Sequence, residues 1–522
     1  MCGIIVSTSQ EPLTQDDLTV LMKRGPDTQQ IERFHTYQFG FTRLAIMGLS
    51  EAGNQPFYHG DSILVANAEI YNNQSLLNDL SDFTPKSHSD CEILLPLYEA
   101  LGINFIDYLD GEFASVMYDA KKDMLIAFRD PIGIRPLFYG YHQKDGAIMF
   151  ASEVKALLPH VKKVIPFPPG FYYLNGRFIE YSDLTQISHY HTHFFEDITN
   201  SIHDKLVAAV RKRLISDAPL GFLLSGGLDS SLVCAIAQKY TKAPIKTFSI
   251  GMDTDPIDLK YAKQVAEYLG TDHTEVTMTK EDVIDALESV IYAIESYDIT
   301  TIRASIGMYL LAKHIHQNTS IKALVTGEVS DELFGYKYTD FAPSKEAFQE
   351  ESIKRVKELY MYDVLRADRC LAANSLEARV PFGDPDFAQY VLRINPLFKM
   401  NKYQTGKFIL RKAFDSNDYL PHSILYREKA AFSDAVGHSL VDELKAYANA
   451  HYTDQAYEQK RLNYAPIPLS KEALLYREIF DQYYPNHSHL IKDYWMPNKS
   501  WEGCKVSDPS ARVLSNYGKS GQ

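Results

Sequence analysis

Cys2 stands directly behind Met1. A thiol near a chain end has little packing value, because termini are usually mobile. If Met1 is removed, Cys2 carries both a thiol and a free α-amine. That amine has a reference pKa of about 8, so one residue holds a nucleophile and its own base. Taken alone, position 2 is equally compatible with an inert surface cysteine. A second candidate is LLSGGLDSS at 223–231, where an apolar run enters a Gly-rich turn that opens a helix. Successive backbone N–H groups at such a turn, with the positive end of the helix, seat a phosphate. Gly226 and Gly227 let the backbone approach the anion, and Ser225, Ser230 and Ser231 add hydroxyl donors. Asp229 brings a carboxylate to the same spot, which makes sense beside a cation such as Mg²⁺. There is no GKS or GKT and no GxGxxG, so this is neither a Walker loop nor a dinucleotide fingerprint. The third candidate, TGEVSDELFGY at 326–336, places Glu328, Asp331 and Glu332 within one short loop. Alone it reads as readily as a solvated acidic loop. Beside a phosphate seat it reads as a metal-holding and acid–base site.

These residues need elements to position them. Runs at 39–47, 62–71, 113–119 and 123–130 are strand-like and separated by Gly, Pro, Asn and Asp clusters. They predict layered antiparallel sheets in the first part. Residues 182–200 are polar and aromatic without a clear period and read as a linker. Ile202, Leu206, Val210 and Leu214 then recur every four residues, one face of a helix. From 219 onward, strand-like runs (PLGFLL, IKTFSIGM, IKALVTG) alternate with helix-like ones (SSLVCAIAQKY, and DLKYAKQVAEYLG ended by Gly270). That alternation predicts a parallel, doubly wound sheet, whose carboxyl edge binds ligands. The last 150 or so residues read mostly helical, with RCLAANSLEARVPF and KFILRKAF as helical pieces. The fold class is therefore an α+β N-terminal part of layered antiparallel sheets, then an α/β doubly wound domain with a helical C-terminal part.

The bulk numbers narrow the function. At 522 residues the chain calls for two or three domains. A net charge of −14 argues against a nucleic-acid surface. No run of 18 apolar residues and no basic start followed by an apolar stretch is present, so neither a membrane span nor a secretory signal is expected. Five scattered cysteines without CxxC disfavour a disulfide framework or a structural zinc and fit a reducing cytoplasm.

Taken together the motifs resemble a family. SGGLDSS resembles the PP-loop of ATP pyrophosphatases, which cleave ATP between the α- and β-phosphates. MCGI, RGPD (24–27), RLAI (43–46), NAEIYN (67–72), SDCE (89–92), LDGEFA (109–114) and RDPIGIRPLFY (129–139) resemble the glutaminase domain of N-terminal-nucleophile amidotransferases. In this order the two look like glutamine-hydrolysing asparagine synthetase. YDITTIRAS (297–305), GEVSDELFG (327–335), LEARVPF (376–382) and YREKAAFSDAVG (426–437) extend the match to about residues 1–490. The last 30 or so residues carry no motif.

The resemblance implies a glutaminase domain at 1–185, a linker at 186–200 and a synthetase domain at 201–522. It implies that Cys2 attacks the glutamine carboxamide and that Asn67 and the backbone of Ala68 hold the oxyanion. Arg43 would grip the glutamine carboxylate, with Leu44, Ala45, Ile46 and Met47 alongside, and Glu69 and Asp90 would take its ammonium end. ATP would lie on Leu224, Ser225, Gly226, Gly227, Leu228, Asp229, Ser230 and Ser231, with Ile250, Thr326 and Gly327 at the nucleoside. Mg²⁺ would sit near Asp229 and Asp331, and Thr300, Thr301 and Arg303 would place aspartate. Lys429 would neutralise phosphate charge, and Glu328 would deprotonate the attacking ammonia. The implied reaction runs through β-aspartyl-AMP, with a dry path for ammonia between the sites. The partners implied are small molecules, with no nucleic acid or membrane, and a homodimer is compatible with the resemblance.

The chain departs from the family at Lys23 (usually His), Ala68 (Gly), Val329 (Gly) and Gly383 (Leu), and FGGY is shortened at 334–336. Val329 is expected in an ordinary α or β backbone region, because its neighbours all match. Two rivals are a β-lactam-synthetase-like or other adenylating enzyme with a different acceptor, and a catalytically silent homologue. The Cys2, Arg43, Asn67 and Asp90 set argues against a β-lactam synthetase, which needs no ammonia.

Overall fold

The computed structural model describes residues 1–80, 83–254, 256–401, 405–415, 418–428 and 438–518. The first part is two six-stranded antiparallel sheets stacked face to face. One runs, in spatial order, Ile165–Pro166, Phe138–Tyr141, Ile148–Ala151, Gly3–Ser7, Tyr37–Arg43, Thr28–Phe34. The other runs Arg177–Glu180, Phe171–Leu174, Met124–Arg129, Gly111–Asp119, Ser62–Ile70, Phe57–His59. Alternation along each strand explains the stacking. Ile4 and Val6 join Phe39, Phe41, Val65 and Val116 between the sheets, whereas Ile5 belongs to the cluster on the other face, with Leu18, Leu21 and Val154. Gly3–Ser7 is central, so Cys2 lies at the mouth of a rigid strand. Its pairing with Tyr37–Arg43 sets Gly3 opposite Thr42.

The later part holds a five-stranded parallel sheet, ordered Asp272–Met278, Lys246–Met252, Leu220–Leu223, Ala323–Val325, Glu377–Arg379. In sequence terms that order is 3-2-1-4-5. The direction of progression reverses between Leu220–Leu223 and Ala323–Val325, and doubly wound sheets open their ligand crevice at such a reversal. SGGLDSS leaves the first of these strands and TGEVSDE the second.

Three sequence readings are corrected. RCLAANSLEARVPF is not one helical piece. The helix Asp363–Ala372 ends there, and Glu377–Arg379 is the edge strand of the parallel sheet. Its three residues are too few for periodicity to reveal. The stretch read as linker already contains the start of the helix Phe195–Lys212, with Ile198 buried in line with Ile202, Leu206 and Val210. Val329 has φ +79°, in the left-handed region. Among the described residues, no helix is long and apolar enough to cross a membrane.

Candidate functional site

The first cluster surrounds Cys2. Its backbone N–H donates to Asn67 Oδ1 at 2.9 Å, and its thiol approaches the Leu44 carbonyl at 3.9 Å. Asn67 is fully buried on the strand Ser62–Ile70, and its Nδ2 has no hydrogen-bond partner among the described residues. A buried, unpaired amide donor beside a thiol is costly unless an acceptor arrives there. An oxyanion formed at the thiol's target is such an acceptor. Burial pushes the Cys2 thiol up, against the pull of the N-terminal ammonium. That ammonium, on Met1, pairs with Glu377 at 3.1 Å. The ammonium, Arg135 and Arg379 outweigh burial and hold the Glu377 carboxyl at about 2.

Motif residues brace this cluster. Arg24 of RGPD donates from Nε to the Cys2 carbonyl at 3.0 Å and grips Asp368 at 2.8 and 3.1 Å. Gly25 has no room for a β-carbon, which would meet the Thr42 carbonyl carbon at 2.2 Å. Asp27 accepts from the Ala45 N–H at 2.8 Å, joining RGPD to RLAI. The Ile46 carbonyl accepts from Ala218, and that of Met47 from Arg43. Arg43 is buried and donates to the Ser50 carbonyl at 2.7 Å, to Asn54 Oδ1 at 2.8 Å and to the Gly48 carbonyl. Its fork thus shapes the 47–54 loop. Asp90 accepts from the Ile70 N–H at 2.6 Å, and burial lifts its carboxyl to about 6. Glu69, pushed well up by burial, pairs with Arg379 at 2.9 Å. The carbonyl of Ala68 faces the Cys91 thiol at 3.7 Å.

The second cluster lines a cavity of about 230 Å³ at the sheet reversal. Leu224, Ser225, Gly227, Leu228, Asp229, Ser230, Ile250, Thr300, Arg303, Thr326, Gly327, Glu328 and Asp331 all line it. Gly226 needs its φ of +70°, and a β-carbon there would strike the Ala262 backbone at 2.4 Å. Among the described residues, a β-carbon added at Gly227 would have only Ser225 Oγ near it, at 3.3 Å. Ser225 and Ser230 share a hydroxyl contact of 3.0 Å. Ser231 is buried, beneath the loop, and its N–H bonds the Gly227 carbonyl. The hydroxyls of Thr300 and Thr326 are buried without partners among the described residues.

Asp229 and Asp331 converge on one point, which Lys407 Nζ fills. It lies 2.8 Å from both Asp229 carboxylate oxygens, 2.6 Å from Asp331 Oδ1 and 2.9 Å from Ser330 Oγ. Carboxylate oxygens gathered at that separation around a single positive charge are a donor set that fits a hard divalent cation. Glu328 pairs with Arg366 at 2.6 Å, yet burial still raises its carboxyl. Thr301 spends its N–H and hydroxyl capping on Asp298, both at 2.8 Å. Arg303 is clamped by Glu472 at 2.8 and 2.6 Å and by Asp508 at 3.1 Å. Lys429 lies outside the described residues.

Sequence reading missed Lys407, Arg366, Arg427 and the C-terminal segment. Arg427 donates to the Gly226 carbonyl at 3.0 Å and lies over the Tyr261 ring. Trp495, Pro509, Ser510 and Ala511 complete one wall of the cavity. Trp501, Cys504 and Leu514 pack with Tyr338 as a small core that holds the segment in place. The one available signal was the pair of tryptophans, both within 495–501.

Comparison with known proteins finds relatives along almost the whole chain. The glutamine amidotransferase domain family matches residues 1–170, and the asparagine synthase family matches 201–347 and 336–507. A protein of Asparagus officinalis named asparagine synthetase [glutamine-hydrolyzing] is 41% identical over 533 residues, covering 96% of this chain and 88% of its own. One of Arabidopsis thaliana, asparagine synthetase [glutamine-hydrolyzing] 3, is 41% identical over 554 residues, covering 100% and 94%. A Schizosaccharomyces pombe protein named probable asparagine synthetase [glutamine-hydrolyzing] is 41% identical over 566 residues, covering 99% of each chain.

Proposed function

Since the chain belongs to the glutamine-hydrolysing asparagine synthetase family, we propose that it makes L-asparagine from L-aspartate and L-glutamine with ATP, releasing L-glutamate, AMP and pyrophosphate. One observation carries the reading. A single chain holds a thiol beside an orphaned buried amide donor and, separately, a phosphate loop whose neighbouring acids gather at a parallel-sheet reversal.

In the first half-reaction, with Met1 removed, the Cys2 α-amine takes the thiol proton as the sulfur adds to the glutamine carboxamide carbon, and Asn67 Nδ2 and the Ala68 N–H take the oxyanion. Donors of this kind contribute about 3–4 kcal/mol each. Collapse, with that proton passed to the leaving nitrogen, expels ammonia and leaves a thioester, which water cleaves to glutamate. Arg43, Glu69 and Asp90 orient the amino-acid end. In the second half-reaction the aspartate side-chain carboxylate attacks the ATP α-phosphate, and the bond to pyrophosphate breaks. Ser225, Gly227 and Ser230 hold the phosphates. Asp229 and Asp331 would hold Mg²⁺, which supplies charge neutralisation on the leaving pyrophosphate. Thr300 and Arg303 face aspartate. Ammonia then displaces AMP from the β-aspartyl-adenylate, losing a proton to Glu328. Lys429 is assigned the α-phosphate by the family pattern alone. Residues 1–185 are read as the glutaminase part and 201–522 as the synthetase part. A cytoplasmic location is supported by five cysteines that are all free thiols.

The test is a single incubation with ATP, Mg²⁺, glutamine and aspartate carrying oxygen-18 in its side chain. Asparagine, glutamate and pyrophosphate are expected, with label in AMP. ADP as co-product, with label in free phosphate, would overturn the adenylate route.

A further inference from the structure

Arg379 touches both clusters. Its side chain is buried and places Nη2 2.9 Å from Glu69 Oε1. Glu69 lies two residues beyond Asn67, so both project from the same face of the strand Ser62–Ile70. Asn67 in turn holds the Cys2 backbone. The main chain of Arg379 is the edge of the parallel sheet, in register with Val325. Its carbonyl accepts the Thr326 N–H at 2.9 Å. Thr326, Gly327 and Glu328 are consecutive in the wall of the nucleotide cavity. One residue thus joins the nucleophile's strand through its guanidinium and the nucleotide loop through its carbonyl.

We propose that Arg379 couples glutamine binding to the nucleotide loop. This rests on the glutamine-dependent reaction proposed above, in which Glu69 receives the substrate ammonium. That carboxylate then serves two cations, the ammonium and the Arg379 guanidinium, so a bound glutamine weakens or re-aims the Glu69–Arg379 pair. Arg379 has second anchors at Glu377, 3.0 Å from Nε, and at the Arg213 carbonyl, 3.0 Å from Nη1. It therefore shifts between anchored arrangements rather than coming loose, and its carbonyl carries the shift to Thr326. Arg379 is a positioning residue, because it reaches the nucleotide only through the loop.

Linkage supplies the test, since coupling between two ligands is reciprocal. The full chain carrying Cys2→Ala binds glutamine without consuming it, and α,β-methylene-ATP occupies the nucleotide site without cleavage. The dissociation constant for that analogue is measured with and without saturating glutamine. A change of threefold or more, reduced to within experimental error by adding Arg379→Lys, is expected. Arg379→Lys keeps the positive charge but loses the fork. Equal coupling with and without Arg379→Lys, or no coupling in Cys2→Ala, would overturn the proposal. Should Arg379→Lys fail to fold, amide hydrogen exchange of Thr326 in the Cys2→Ala chain decides instead. A glutamine-dependent change at Thr326 supports the coupling, and an unchanged rate refutes it. If Cys2→Ala binds no glutamine and the unsubstituted chain makes no asparagine, the proposed function fails. If both succeed without coupling, only the role of Arg379 fails.

Discussion

Lys407 places its ammonium 2.8 Å from each carboxylate oxygen of Asp229, at the point where Asp331 also converges. The ion pair is buried, and removing one partner of a buried pair commonly costs about 3–5 kcal/mol, because the other charge is left uncompensated. Lys407→Met should therefore lower thermal stability in metal-free buffer. Added Mg²⁺ should restore more stability to the variant than it adds to the parent, since a ligand stabilises by RT ln(1 + [L]/Kd). Melting curves over a magnesium series check this. Equal responses would mean that Asp229 and Asp331 are not the metal's ligands.

Cys2→Ala should abolish glutamine-dependent asparagine formation. Ammonia-dependent formation should stay within about twofold, as expected for a substitution remote from the second site. Cys2 immediately precedes the strand Gly3–Ser7 of the antiparallel sheets, and among the described residues it does not line the nucleotide cavity. Loss of both activities from a folded variant would refute the division into two sites.

Val329 is held at φ +79° and is buried. A β-branched residue there stores about 1–3 kcal/mol of strain. The loop is nonetheless assembled, because the next residue, Ser330, donates to Asp229 at 2.7 Å. Glycine would relieve the strain but forfeit about 1.5–3 kcal/mol of side-chain burial. Val325→Gly, in the adjoining strand, loses similar burial with no strain to relieve. Val329→Gly should be the milder of the two by at least about 1 kcal/mol in denaturant unfolding, given the strain it removes. Its ammonia-dependent rate should change by less than about tenfold, roughly 1.4 kcal/mol of barrier. A gain of a hundredfold would mark the natural loop as damaged.

Lys399 is buried, donates to the Val391 carbonyl at 3.2 Å, and is brought down by burial to about 7. Its folded value lies below its unfolded one, so the unfolded chain binds the extra proton between roughly pH 7 and 10.5. Stability rises with pH across that window, and the full penalty applies below it. Lys399→Met should raise the melting temperature by at least about 2 °C at pH 6, with the gain shrinking towards pH 10. The Val391 carbonyl keeps its bond from the Ile394 N–H. A pH-independent gain would contradict a titrating Lys399.

What the sequence by itself determined was local. Short apolar runs such as 62–70 and 113–119, bounded by turn-forming clusters, specify strands, and both are buried along nearly their whole length. Gly226 and Gly270 mark turns because their left-handed backbone excludes most side chains. SGGLDSS identifies itself because phosphate binding needs particular residues at fixed offsets, and TGEVSDE takes its meaning from standing beside it. What only the tertiary structure decided was which distant residues share a charge. Lys407 meets Asp229 across 178 positions of chain, and Arg24 meets Asp368 across 344. Arg379 meets Glu69, and Asp508 meets Arg303, across similarly unmarked separations. A buried ion pair is chosen by mutual desolvation and by Coulomb attraction over a few ångströms of space. Neither depends on separation along the chain, so no spacing rule could announce these pairs. The edge strand Glu377–Arg379 was hidden for a related reason. Three residues carry no period, and only the vacant edge of the sheet and the charges waiting beyond it made them a strand.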